Sequence, residues 1–495
     1  MRAGGASRRV LLGVLIVVVA SLNWTSTRVD FEKVYDIQVS FDKTPPSVTS
    51  INWTPTRVIL DKVYDINVSF TAIDYENPIA YAELHFVPVE YYYMVEKYGM
   101  RPEDYPKVFP PDKERVFVLT PVDGKFDSLE EEFSVQIRDI VGGREYKIVV
   151  LVKDLAGNEK IVEVKTSYIR QFENLGKELY DKGIIVAAHY YNWYTPGYDI
   201  PRDLPDKPLL GLYYSDDNVV FNKHVDWATG HGINVFIFPY PYPQPTKAFD
   251  WLERTFRKNM EADLFNQIKF SFCSTLVDNT APQPPYNFDD SRVKEEFINN
   301  INYIKEHYAN LPNFWKIDGK PAIVLWGSHG YKSTSGNIEE VLKEARKNFY
   351  IISHIPVVWN EADVQELIKN SDAIYDYEPL PLWLHRDMTL DEAVPYTIER
   401  TKTWIEIVGK YGKPYIPTIS SGFDNTHDYR PHSTVPIIRR SESGFRLYIR
   451  EVEKLPNPLR IIFLTSFNEW FEGTQLEPAQ SYDKVYLEIL KEELK

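Results

Sequence analysis

Two carboxylates three residues apart stand near the C-terminus, in Ser466-Phe467-Asn468-Glu469-Trp470-Phe471-Glu472-Gly473, directly after the apolar run Ile461–Leu464. Charged groups at the end of a core strand must be solvated or put to use. Carboxylate pairs beside aromatic rings are what glycoside hydrolysis needs: one group stays ionised while the other, raised in pKa, carries a proton. The alternative is a salt-bridged loop, which the aromatic setting makes the weaker reading.

Other chemistries fail on their motifs. The chain has no His-Glu-x-x-His, no Gly-x-Ser-x-Gly elbow, no P-loop and no Gly-x-Gly-x-x-Gly. Cys273 is the only cysteine, so neither a paired-Cys zinc site nor an intrachain disulfide can form. His385-Arg386-Asp387 imitates a kinase catalytic loop, but Glu392 occupies the place of its metal-binding Asn. Asp216-Asp217 and Asp289-Asp290 read as caps of the helices that follow them. No metal and no cofactor is expected. A net charge of −15 argues against a nucleic-acid partner, whose phosphates would be repelled. Aromatic residues make up 14% of the chain, and such rings suit carbohydrate as well as core packing.

The elements that would position the pair follow from periodicity. Residues 1–20 carry Arg2, Arg8 and Arg9 before a short apolar run, the pattern of a signal peptide or N-terminal anchor, so a secreted or cell-surface protein is expected. That anchor is the one expected membrane contact. Ser21–Phe41 and Ser50–Phe70 match at 15 of 21 positions, so 21–44 reads as a duplicated strand segment or stalk. All three Asn-x-Ser/Thr triplets, at Asn23, Asn52 and Asn67, fall in this region. Residues 45–167 alternate with period two between Pro, Gly and Asp turns, which predicts an all-β immunoglobulin- or fibronectin-like sandwich. The stretch Tyr91–Asp112 breaks the alternation as an insertion. Residues 168–183 read as a linker helix. From 184 to 495, eight short apolar strands alternate with amphipathic helices, which predicts a (β/α)8 TIM barrel. In such barrels function gathers where strands end. Here those ends carry Asn192-Trp193-Tyr194, Tyr240-Pro241-Tyr242, Trp326, Trp359-Asn360-Glu361, Tyr375, Tyr377-Glu378, Phe423-Asp424 and Asn468–Glu472.

These residues resemble a known family. Thr465–Glu477 is similar to the signature of the family 99 glycoside hydrolases, the endo-acting α-mannosidases and α-mannanases. Tyr190–Tyr194, Leu210–Asp216 and Pro417–Asp424, with Arg430-Pro431, resemble its other segments. The resemblance covers about Ile184 to Lys495. It implies a barrel that cleaves α-mannosidic linkages of an oligo- or polysaccharide with retention. Glu469 matches the glutamate thought to deprotonate the sugar's own 2-hydroxyl, giving a 1,2-anhydro intermediate, and Glu472 the one that protonates the leaving group. Phe471 stands where the family usually has His, and Asn192 where Pro is common. Glycosyltransferase-like proteins of polysaccharide gene clusters also carry Asn-Glu-Trp-x-Glu-Gly. Phe467 and Thr474-Gln475 favour the hydrolases. A non-catalytic surface glycan-binding protein is a third reading, against which the intact pair speaks.

Trp193, Tyr240 and Tyr377, each at or just past a strand end, are the candidate substrate contacts, with Tyr191, Asp424, Asn468 and Trp470. A helix after strand eight would put Glu469 and Glu472 about 5 Å apart along one face, compatible with retention. Since every candidate lies beyond Ile184, the sandwich is expected to be dispensable for chemistry.

Overall fold

The structure, a computed structural model, describes residues 42–59, 63–89, 114–197, 199–200, 204–240, 251–426 and 435–495. The N-terminal segment, the first repeat copy with Asn23, and the insertion Tyr91–Asp112 lie outside the described residues. The chain divides into two compact units, Met1–Thr44 and Pro45–Lys495, and both the sandwich and the barrel belong to the second.

Seven antiparallel strands come first: β1 (Ser47–Ile59), β2 (Val63–Ile73), β3 (Ile79–Pro88), β4 (Arg115–Leu119), β5 (Glu130–Ile140), β6 (Tyr146–Asp154) and β7 (Glu159–Lys165). They form the sheets β1-β2-β5 and β4-β3-β6-β7. The second repeat copy supplies most of the β1–β2 hairpin, with Asn52 and Asn67 exposed on it. Alternate residues such as Ile66, Val68, Phe70, Ile148, Val150 and Val152 fill the space between the sheets. At the start of β6 the Tyr146 hydroxyl donates to the Val141 carbonyl at 2.7 Å, the tyrosine corner of immunoglobulin-like sandwiches.

The barrel strands are β8 (Ile185–His189), β9 (Val235–Pro239), β10 (Lys269–Cys273), β11 (Lys320–Leu325), β12 (Tyr350–His354), β13 (Ala373–Tyr375), β14 (Tyr415–Ile416), β15 (Thr418–Ser420) and β16 (Ile461–Thr465). All are parallel, and the eight expected strands are all present. Nine segments arise because Pro417, which has no N–H to donate, splits the seventh strand. β14 pairs with β13, β15 pairs with β16, and Phe463 N donates to Pro417 O across the break at 3.0 Å. β16 in turn pairs with β8, which closes the ring. Side chains alternate between two layers. Ile185, Ala187, Val235, Ile237, Tyr375 and Phe463 fill the barrel, whereas Val186, Ala188, Phe236, Phe238, Phe272 and Leu464 face the helices.

The helices are α1 (Leu175–Asp181), α2 (Asn218–Gly230), α3 (Leu252–Met260), α4 (Ser291–His307), α5 (Asn337–Arg346), α6 (Glu361–Asn370), α7 (Leu390–Gly409), α8 (Glu442–Glu453) and α9 (Val485–Glu493). Asp217 and Asp290 cap α2 and α4 through their side chains, and Glu392 completes a capping box with Thr389 on α7.

The linker differs from expectation, because only Leu175–Asp181 of it is helical. Ahead of α1 the chain is clamped to α2 instead. Both oxygens of the buried Asp226 accept backbone N–H groups, from Gln171 at 2.7 Å and Phe172 at 3.2 Å. Burial pushes the Asp226 carboxyl up, and Arg170 and Lys223 oppose that shift. The buried Lys223 ammonium donates to Gly143 O in the sandwich and to Gln171 Oε1, both at 3.1 Å. Gly143 is confined to glycine: its φ is +90°, and a Cβ there would lie 2.5 Å from Lys223 Nζ. Gly143→Ala is expected to destabilise the protein by about 1–3 kcal/mol, read as a lower midpoint in thermal unfolding.

Candidate active site

The turn after β16 carries the carboxylates, and the structure replaces the expected helix with a chain of specific hydrogen bonds. Residues 470–473 form a turn. Glu469 N donates to Ser466 Oγ at 2.7 Å, Phe471 N donates back to Glu469 Oε1 at 2.9 Å, and Asp424 N donates to Glu472 O at 2.8 Å. Gly473 allows the turn to close. Its φ is +62°, and a Cβ would come within 2.9 Å of Asp424 O. The spacing of the pair is therefore set by this turn rather than by helical rise.

Around the carboxylates lie tyrosines from strands on the opposite part of the sequence. Tyr377, just past β13, donates its hydroxyl to Glu472 Oε2 at 3.1 Å. Its oxygen lies 2.6 Å from the Tyr191 hydroxyl, just past β8. Burial, and then the charges of both Glu469 and Glu472, push Tyr191 and Tyr377 well above the ordinary phenol range. Both hydroxyls stay protonated at neutral pH, and Glu472 accepts from that of Tyr377. Trp193 packs on Tyr191, with ring centroids 4.2 Å apart.

A third carboxyl, not among the expected site residues, belongs to the same group. Glu378 follows Tyr377 and accepts from Leu380 N at 3.1 Å. Burial, and more weakly the charge of Glu472, push it well above the ordinary carboxylate range. A carboxyl whose pKa is raised in the fold binds more protons than the unfolded chain as pH passes about 4.5, so its contribution to stability falls as pH rises. Glu378→Gln, which keeps an acceptor for Leu380, is expected to leave stability equal or higher at pH 7. Its stability curve against pH should also fall less steeply above pH 4.5 than that of the unaltered chain. Urea titrations of the two proteins across pH measure this.

The remaining expected contacts divide. Asp424 lines a pocket of about 200 Å³ with Trp470, Gly473, Arg439 and Arg440, on the flank of the turn that carries the carboxylates. Its carboxylate accepts from Thr426 N and Oγ1. Asn468 is fully buried and braces the site: Oδ1 accepts Tyr191 N at 2.7 Å, and Nδ2 donates to Tyr191 O at 2.9 Å. Trp470 is buried too, and its indole donates to Glu477 Oε2 at 2.8 Å. Tyr240 departs most from expectation. It lies in the layer between barrel and helices, against Phe272, with its hydroxyl on Asn300 of α4 at 3.2 Å. The parity of β9 explains this, because Phe236, Phe238 and Tyr240 share the outward face.

Glu477, Tyr194, Tyr213 and His224 support the turn from below. Glu477 is fully buried and accepts from Tyr213 at 2.7 Å, with His224 Nε2 at 3.0 Å. Tyr194 accepts Trp470 N and donates to Asn468 O. Glu477, Tyr194 and Tyr213 belong to the segments that carry the resemblance, whereas His224 lies outside them and carries no such signal.

The family profile described as "Glycosyltransferase WbsX" matches residues 200–490, more than half of the chain. The chain belongs to the WbsX glycosyltransferase family. Solved structures similar to this family member include a GH99 endo-alpha-mannosidase from Bacteroides thetaiotaomicron in complex with bis-tris-propane. It is 20% identical over 62% of this chain and 96% of that one, with a TM-score of 0.48. A second structure of a GH99 endo-alpha-mannosidase from the same organism is 18% identical over 62% and 96%, at a TM-score of 0.46. A glycoside hydrolase-like protein is 20% identical over 63% of this chain and 94% of its own, with a TM-score of 0.48. The motifs point to family 99 and to a glycosyltransferase-like group with the same Asn-Glu-Trp-x-Glu-Gly pattern. The family match falls on the second, and family 99 enzymes stand among the similar structures.

Proposed function

We propose that this WbsX family member is a retaining, endo-acting glycoside hydrolase of α-mannosidic linkages in a mannan or N-glycan-like chain, exported or held at the cell surface. The observation that carries the proposal is Glu472 on the hydroxyl of Tyr377, which lies 2.6 Å from the Tyr191 hydroxyl, with the charge of Glu469 acting on both phenols where the barrel strands end. In the proposed reaction Glu469 takes the proton of the sugar 2-hydroxyl, and O2 displaces the leaving oxygen at C1. That oxygen takes its proton from Glu472. Water then opens the 1,2-anhydro sugar at C1, giving a proton to Glu472 while O2 recovers one from Glu469. The Phe471 N–H on Glu469 suits a carboxylate base.

The family's own description favours a second reading, transfer of a sugar from an activated donor. Glu469 and Glu472 speak against it, since a nucleoside diphosphate brought beside ionised carboxylates would meet like charge. The two readings separate in one experiment. The full chain is incubated with α-mannans and manno-oligosaccharides, and in parallel with nucleotide sugars and the same acceptors, and products are weighed by mass spectrometry. Shortened internal fragments from the first mixture are expected. Products lengthened by one sugar, formed solely in the second, would overturn hydrolysis.

A further inference from the structure

The C-terminal mouth of the barrel has a floor of rings that runs from Glu472 to the opposite wall. Tyr377, bonded to Glu472, meets His189 edge-on at 5.0 Å between centroids. His189 stacks on Tyr375 at 5.9 Å, Tyr375 meets His354 at 5.4 Å, and His354 stacks on Trp326 at 6.2 Å with their planes 20° apart. Burial and the neighbouring His354 push the His189 imidazole down to about 3, so this floor carries no imidazolium at its centre. Trp326 ends the row just past β11, the fourth barrel strand, across the ring from the eighth, which bears the carboxylates.

Two features set Trp326 apart. Among the described tryptophans it alone is exposed, at 45%. Leaving an indole in water forgoes a large burial gain, which a second role at this place would account for. Its ring is also held from beneath. His354 is 6% exposed and fixed through both nitrogens: Nε2 lies 3.2 Å from Asp376 Oδ1, and Nδ1 accepts Gly327 N at 3.2 Å. The other Asp376 oxygen is occupied by Val357 N at 2.8 Å. An exposed ring that already stacks on a fixed neighbour loses less freedom when a ligand covers its other face. A ring face is electron-rich, and the matching surface is the row of C–H groups on one face of a pyranose.

We propose that Trp326 is the platform of a second sugar-binding position, which stacks on a pyranose of the same glycan chain at a distance from the bond that Glu469 and Glu472 cleave. The proposal rests on the hydrolase reading for the identity of the chain, α-linked mannose. The site would favour long substrates over short ones, as internal cleavage requires.

The test uses full-length Glu469→Gln protein, or Glu472→Gln should the first fold poorly, with calorimetric titration of α-manno-oligosaccharides of increasing length. Affinity is expected to rise with length until the ligand reaches Trp326. Adding Trp326→Ala should remove about tenfold in affinity from the longest ligands and leave the disaccharide unchanged, while Trp326→Phe should keep most of the gain. An effect on no ligand, or an equal effect on the disaccharide, would overturn the platform. Hydrolysis by the unaltered catalytic pair is measured separately. A chain that cleaves manno-oligosaccharides but binds them without regard to Trp326 overturns this site alone. One that shows the Trp326-dependent gain yet cleaves nothing overturns the hydrolase reading alone. Binding of no manno-oligosaccharide would overturn both.

Discussion

Glu469→Gln and Glu472→Gln should each slow glycan cleavage by roughly 10²–10⁴-fold, the usual loss when acid–base catalysis is removed. The barrel should survive both changes. The amide keeps an oxygen for the Phe471 N–H that Glu469 Oε1 now accepts, and another for the Tyr377 hydroxyl on Glu472. Circular dichroism and the thermal midpoint check that the fold is kept, so that the loss is chemical. In the unaltered protein the newly formed reducing end, followed by NMR, should first appear in the α-configuration. Activity against pH should follow a bell whose limbs belong to the coupled pair rather than to either residue. A β-configured first product, or near-normal turnover by Glu469→Gln, would remove the assigned roles.

A chain beginning at Ile169 should lose stability on the order of several kcal/mol, even though all candidate residues lie beyond Ile184 and the sandwich is expected to be dispensable for the chemistry itself. The reason is α2, of whose 13 residues 11 are buried, among them Asn222, Lys223, His224 and Asp226. A helix with polar side chains buried on a second face needs partners there. The sandwich supplies Gly143 O to Lys223, and the Arg144 backbone pairs with Ile169 in both directions, at 3.2 and 2.9 Å. Each lost partner of a buried polar group costs about 1–3 kcal/mol, and the uncovered face of α2 adds to that. Thermal unfolding of the shortened chain beside the full one is the measurement. Equal midpoints together with full activity would show that the sandwich lends the barrel nothing.

Parity along the strands explains much of what sequence reading could reach at the site. Ile185, Ala187 and His189 point into the barrel, so Tyr191 and Trp193 continue that face, as Tyr377 continues Ala373 and Tyr375. The same rule places Tyr240 with Phe236 and Phe238 on the outer face, and position at a strand end alone misassigns it. Asn468 and Trp470 stand in the motif, yet the motif does not tell a group that meets substrate from one that holds the turn. That distinction depends on what lies opposite: the Tyr191 backbone, 277 residues away, for Asn468, and Glu477 for Trp470.

By itself the sequence determined the two architectures, the eight barrel strands and the place of the carboxylate pair. Each is written in short-range alternation and in one local motif, where neighbours along the chain decide burial. Only the tertiary structure decided that the pair sits on a turn, that Tyr191 and Tyr377 join it, that burial pushes the Glu378 carboxyl up beside it, and that Trp326 faces water across the mouth. It also decided that the linker is clamped to α2 rather than helical throughout. These features arise where strands distant in sequence end side by side, so their energies come from hydrogen bonds, ring contacts and shared charge that no local pattern encodes.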